Sequence, residues 1–205
     1  MAVGGDLGRT QITAVTRLVL ASTSPQRRAI LEQLRIPFEV VVPSYLEHGP
    51  PGADPVALVR SHAQGKARSV HRTGAVTLGV DTTVHLEGRL YGKPADRGDA
   101  GEMLRALSGR THAVVSGLSL IGNGFDVTET AVTEVTFRCL TGADIEVYLA
   151  SREWEGRAGA YAIQGLGGRL VERIEGDYLN VVGLPGPLLV GLLELHAPEL
   201  LQISS

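Results

Sequence analysis

The sequence predicts an α/β fold: a mixed, twisted, partly antiparallel sheet flanked by helices. Three observations carry that prediction. Short apolar runs of strand type recur between segments with helical spacing. Two long β-rich runs, residues 112–121 and 125–138, flank Asn123-Gly124, a dipeptide that favours a tight hairpin turn. Strands and helices do not alternate strictly, which argues against a doubly wound, all-parallel domain.

Taken in order, residues 17–21 form a short apolar strand that breaks into Ser22-Thr23-Ser24-Pro25. Ser24 can cap a helix whose first position is Pro25, because its side-chain oxygen accepts an unpaired backbone N–H and proline has no N–H to lose. Ile30, Leu31 and Leu34 give that helix an apolar face, and Ile36-Pro37 ends it. Residues 38–42 read as a second strand. Asp54-Pro55 opens a second helix with Val56, Val59, Ala63 and Ala67 on one side. Residues 75–80 are a buried-type strand that ends at Asp81, and Glu87-Gly88 turns the chain back. A helix follows over 98–107, then the Asn123-Gly124 hairpin, a helix over 144–150, a strand over 169–174 and a final helix over 187–195. Residues 1–16 read as a short polar lead-in without the apolar core of a signal peptide, and 17–205 as a single domain.

Composition narrows the function classes. The 19 Lys and Arg against 22 Asp and Glu leave a formal charge of −3, which does not suit a protein that holds long nucleic acid by electrostatics. No apolar run reaches membrane-spanning length, and the best candidate, residues 181–195, is interrupted by Pro185 and Pro187. The single cysteine, Cys139, excludes an internal disulfide or a Cys-rich metal centre and suits a reducing, cytoplasmic setting. Within the basic residues only Lys66 and Lys93 are lysine; the rest are arginine. A chain that uses Arg for ordinary solvated charge can keep Lys where a compact ammonium is needed, or by accident of composition.

Three constellations can carry chemistry. The first is Ser22-Thr23-Ser24-Pro25-Gln26-Arg27-Arg28 at a helix start, where unpaired N–H groups, three hydroxyls and two arginines suit a phosphate; an ordinary cap with two solvated arginines is the alternative. The second is Asp81 in Leu78-Gly79-Val80-Asp81-Thr82-Thr83, an acid at a predicted strand end that can bind a divalent cation or accept a proton, unless it merely forms a turn. Lys93, before Pro94, can reach the same cleft, and Glu47 offers a second acid for a metal. The third is the glycine-rich stretch 158–168, in which the Gln164 amide can read a base edge. The six histidines show no metal-binding spacing, and no Gly-x-Ser-x-Gly elbow of a serine hydrolase is present.

In this order, Leu20-Ala21-Ser22-Thr23-Ser24-Pro25-Gln26-Arg27-Arg28, Gly79-Val80-Asp81-Thr82, Gly92-Lys93-Pro94, Leu107-Ser108-Gly109-Arg110-Thr111-His112, the 133–138 stretch, Tyr161-Ala162-Ile163-Gln164-Gly165 and Val181-Val182-Gly183-Leu184-Pro185 resemble the Maf family of nucleoside triphosphate pyrophosphatases. The resemblance runs from residue 18 to 193. It implies an elongated mixed sheet with a cleft between two lobes, an inosine triphosphatase-like architecture, and a homodimer. It also implies Mg²⁺- or Mn²⁺-dependent cleavage of a nucleoside triphosphate to monophosphate and pyrophosphate. By position it makes Asp81 the proton acceptor or a metal ligand. Ser22, Ser24, Arg27, Arg28, Lys66 and Lys93 then bind phosphate and substrate, with Glu47 as a second metal ligand. Gln26, Thr82 and Gln164 become the readers of the base. The pattern is closest to the branch acting on dTTP and UTP, from which Gln26 departs because that branch commonly has Arg there. Lys66 is expected to tolerate Arg better than Lys93, since a helix gives a longer side chain room. The family's septum-formation name also suggests a cell-division regulator working through binding; the complete polar set favours the enzyme.

Overall fold

The computed structural model describes residues 17–49 and 52–202; the predicted lead-in, together with Pro50 and Pro51, lies outside the described residues. The strands are β1 (Leu18–Ala21), β2 (Phe38–Val41), β3 (Val76–Leu86), β4 (Arg89–Tyr91), β5 (Thr111–Gly122), β6 (Phe125–Phe137) and β7 (Val171–Glu175). They form one sheet in the order β2-β1-β3-β5-β6-β7, with β4 paired to β3. The β2, β1 and β3 pairings are parallel and the others antiparallel, so the sheet is mixed as expected. The helices are α1 (Pro25–Gln33), α2 (Pro55–Val70), α3 (Arg97–Leu107), α4 (Gly142–Ser151), α5 (Tyr178–Val182) and α6 (Gly186–His196).

The local chemistry explains the boundaries. Ser24 and Asp54 cap α1 and α2 by accepting from the backbone N–H groups of Arg27 and Ala57, each with proline in the first turn. Thr141 and Asp144 cap α4 reciprocally. The β3–β4 turn places Glu87 at φ 48° and Gly88 at φ 81°, the paired left-handed conformation that a two-residue hairpin needs. The five-residue α5, capped by Asp177, carries no periodic signal and was not expected from the sequence.

Two apolar clusters divide the molecule along the sheet. One, with Leu18, Leu20, Leu31, Leu78, Leu189 and Leu193, sits under α1 and α6. The other, with Val84, Leu104, Leu107, Phe137, Tyr148 and Trp154, sits under α3 and α4. These are the two lobes, and the long strands β3, β5 and β6 run through both. On the opposite face of β3, α2 lies almost directly on the sheet backbone. A Cβ at Gly79 would strike the Ala63 carbonyl oxygen, and one at Gly117 the Val59 carbonyl oxygen.

One expectation needs correction. Asp81 is not at a strand end: β3 continues past it to Leu86. The strand that ends here is its neighbour, since β1 stops at Ala21 opposite Gly79, while β4 pairs only from Val84 onward. Val80 to Thr83 therefore lie in a gap on that side of β3. The cleft opens at the carboxyl end of β1, where α/β sheets commonly place ligands.

Candidate active site

Asp81 alternates onto the α2 face of β3, opposite Gly117 on β5. Because Gly79 and Gly117 let α2 approach so closely, the side chains of His62 and Lys66, one helical turn apart, meet the Asp81 carboxylate. Lys66 Nζ donates to Asp81 Oδ1 at 2.5 Å and to Glu47 Oε1 at 2.6 Å. His62 Nδ1 lies 3.2 Å from Asp81 Oδ2, and His62 Nε2 lies 3.1 Å from the His48 carbonyl oxygen. Lys66 is only 7% exposed, and Asp81 8%. Desolvation would raise the Glu47 carboxyl, but the Lys66 hydrogen bond and the charges of Lys66, Lys93 and His62 bring it below the usual carboxylate value.

Above this cluster lies a cleft of about 410 Å³ lined from both lobes. One wall is the β1–α1 junction, with Ser22, Ser24, Gln26 and Arg27; the other carries Arg157, Tyr161 and Gln164. Lys93 and Glu47 stand at its edges. Arg27 spreads its guanidinium over three acceptors: Gly183 O at 2.9 Å, Ser22 Oγ at 3.2 Å and Thr82 Oγ1 at 3.4 Å. That fork ties the β1 end, β3 and the α5 terminus together behind the cleft. Burial lowers its pKa, against the charges of Asp81 and Glu47, which raise it. The Ser24 hydroxyl donates to Gln26 Oε1 at 3.1 Å, which orients that amide. Thr82 Oγ1 also lies 2.9 Å from Ser116 Oγ.

A cleft at the end of a parallel strand, walled by a helix N-terminus, suits an anionic ligand. Residues 17–196 match the family described as Maf-like protein. The chain belongs to that family. Among its relatives, a dTTP/UTP pyrophosphatase of Latilactobacillus sakei is 44% identical over 178 residues, covering 86% of this chain and 98% of the relative. The dTTP/UTP pyrophosphatase of Gloeobacter violaceus is 46% identical over 180 residues, 86% of this chain and 94% of its own. That of Bacillus mycoides is 44% identical over 171 residues, covering 82% and 90%.

In this Maf-like protein the structure brings together most of the residues expected at the site. Ser22, Ser24, Gln26, Arg27, Glu47, Lys66, Thr82, Lys93 and Gln164 all line the cleft, and Asp81 lies behind Lys66. Arg28 does not join them. Its guanidinium turns back to the Thr23 carbonyl oxygen at 3.4 Å, off the cleft wall. The room expected around Lys66 is absent as well, since Lys66 is packed while Lys93 is exposed. Sequence reasoning missed His62 and Arg157. Arg157 lies just before the stretch 158–168 singled out for Gln164. His62 had one usable signal, its place four residues before Lys66 on the same helix face. Glu47, His62 and Asp81 each offer a ligand atom, and these atoms all lie within 4.8 Å of one another. Two carboxylates and an imidazole at that spacing fit a divalent cation.

Proposed function

We propose that this protein hydrolyses nucleoside triphosphates, dTTP and UTP foremost, to the nucleoside monophosphate and pyrophosphate, as a nucleotide-pool house-cleaning enzyme. The observation that carries the reading is the buried Asp81–Lys66 pair, with the half-exposed Glu47 on the same ammonium, beside a cleft whose wall is the α1 N-terminus. The relatives' activity supports the substrate pair, and favours turnover over a purely regulatory role in cell division. Residues 17–205 act as one catalytic domain, and the family resemblance supports a homodimer. The lone Cys139 supports a cytoplasmic setting; among the described residues no helix is long and apolar enough to cross a membrane.

The reaction adds water at the α-phosphorus and breaks the α–β anhydride bond, with pyrophosphate as the leaving group. Asp81 accepts the water proton, its carboxylate held in place by the Lys66 ammonium. The α1 N-terminus, the hydroxyls of Ser22 and Ser24, and the Arg27 charge hold the triphosphate. Lys93, exposed at the cleft edge, neutralises charge building on the departing pyrophosphate. Gln164 and the Ser24-oriented Gln26 face the base, with Thr82 behind them. Asp81 and Glu47 would hold a Mg²⁺ or Mn²⁺ ion, which when bound supplies charge stabilisation to the phosphate oxygens.

A panel of nucleoside triphosphates, assayed for both monophosphate and pyrophosphate with each metal, tests the reading. Turnover concentrated on dTTP and UTP is expected. Asp81→Asn should lower it by about 10²–10⁴-fold while nucleotide binding persists. Inactivity on every triphosphate would overturn the assignment.

A further inference from the structure

His62 is buried, 6% exposed, and both of its ring nitrogens face oxygen atoms. The His48 carbonyl can only accept, so Nε2, 3.1 Å away, carries the ring proton. The other ring nitrogen, Nδ1, faces Asp81 Oδ2 from 3.2 Å. A carboxylate oxygen also only accepts, so the contact is closed either by a second ring proton or by a cation shared between the two atoms. The other carboxylate oxygen, Oδ1, already belongs to Lys66. Two donors sharing one cation at bond lengths of about 2.1 Å stand about 3 Å apart, close to the separation seen here. An imidazole that donates one N–H to a backbone carbonyl and turns its other nitrogen outward has the arrangement found at metal-ligating histidines.

The ring is also held in place. Tyr45 meets it edge-on, with ring centroids 5.8 Å apart. Tyr45 in turn occupies the space that Gly65 leaves, where any Cβ would overlap its ring. His62, Gly65 and Lys66 thus form one face of α2 that seats Tyr45, the imidazole and Asp81 in fixed relation.

We propose that His62 is the nitrogen donor of a mixed Asp81–His62–Glu47 site, which selects a first-row transition ion such as Mn²⁺ or Co²⁺ over Mg²⁺. Oxygen-only sites suit Mg²⁺, whereas an imidazole shifts preference toward transition ions. The proposal rests on the pyrophosphatase reading for its place in the chemistry, and its test reads metal ligation directly. Pulsed electron paramagnetic resonance on the full chain loaded with Mn²⁺ should show coupling to a directly bound nitrogen. Growth with ¹⁵N-histidine should change the isotope pattern of that coupling, a result that needs no variant. In His62→Leu, once circular dichroism shows it folded, Mn²⁺ affinity should fall by about 10-fold or more, with Mg²⁺ affinity little changed. Absence of nitrogen coupling in the unaltered protein, or equal Mn²⁺ affinity in folded His62→Leu, would overturn the assignment; a second ring proton would then fill the gap. A protein that releases pyrophosphate from dTTP without nitrogen coupling sinks only the ligand assignment. One with coupling but no turnover sinks only the enzyme reading.

Discussion

Replacing Lys66 by methionine removes the ammonium and keeps an unbranched side chain of similar length. What remains is a buried carboxylate, Asp81, that has lost its 2.5 Å partner, and a half-exposed one, Glu47, that has lost its 2.6 Å partner. Removing one member of a buried ion pair costs about 3–5 kcal/mol, mostly as the penalty of the charge left behind. Water reaches Glu47, so the low end, about 3 kcal/mol, is expected. For a chain of 205 residues that is a fall of roughly 6–12 °C in melting temperature. The diagnostic measurement is a double-mutant cycle with Asp81→Asn, followed by thermal unfolding at pH 7. The pair removed together should recover part of the loss, with a coupling of about 2 kcal/mol. Lys66→Arg keeps the charge but brings a broader head group into a packed site, and should lose stability as well as turnover. An unchanged melting temperature in Lys66→Met, with no coupling in the cycle, would refute the reasoning.

Two further perturbations test the frame around the site. Burial pulls the His112 imidazole from 6.5 down to about 4, with its Nε2 3.0 Å from the Tyr161 hydroxyl and Nδ1 without a partner among the described residues. Below pH 6.5 the unfolded chain takes up a proton that the folded chain refuses, so stability is full above that pH and falls as pH drops toward about 4. The loss reaches about 3 kcal/mol at most; His112→Gln should flatten the slope of urea stability between pH 7 and pH 5, and an unchanged slope would sink the idea. Gly79→Ala should cost about 3 kcal/mol, because the obstacle is the Ala63 backbone carbonyl and not a movable side chain. Turnover should fall with it, since any retreat of α2 draws Lys66 from Asp81; a stable, fully active variant would show that the close approach is dispensable.

Local signals were legible where the chain carries its own instruction. Asn123-Gly124 joins β5 and β6 in the tight hairpin it signals, and Ser24-Pro25 and Asp54-Pro55 start α1 and α2 as read from the sequence. Signals that depend on a distant strand were not. The apolar run stops at Val80, so Asp81 reads as a strand end, yet β3 continues because β5 pairs with it through His85. Nothing in residues 76–86 reveals that β1 stops at Ala21 and opens the gap. His62 was missed for the same reason: its partner Asp81 is 19 residues away, and the contact exists only because Gly79 and Gly117 let α2 descend. Arg28 differs from Arg27: its guanidinium hydrogen-bonds the Thr23 carbonyl oxygen and stands apart from the residues that line the cleft.

The scarcity of lysine proved informative for a physical reason. Among the described residues, the ion pairs at the solvent surface, such as Arg60–Glu129 and Arg68–Asp126, all use arginine. Lys66 and Lys93 both line the cleft. Arginine is present there too, and Arg27 shows what separates the two roles. Its planar fork serves three acceptors lying in different directions, Gly183 O, Ser22 Oγ and Thr82 Oγ1. Lys66 must instead place one compact charge between two carboxylates, 2.5 and 2.6 Å away, inside a helix–sheet contact with no space for a guanidinium. Composition could therefore point to the two lysines, both of which line the cleft. It could not single out Arg27, which looks like the other sixteen arginines until the fold supplies its acceptors.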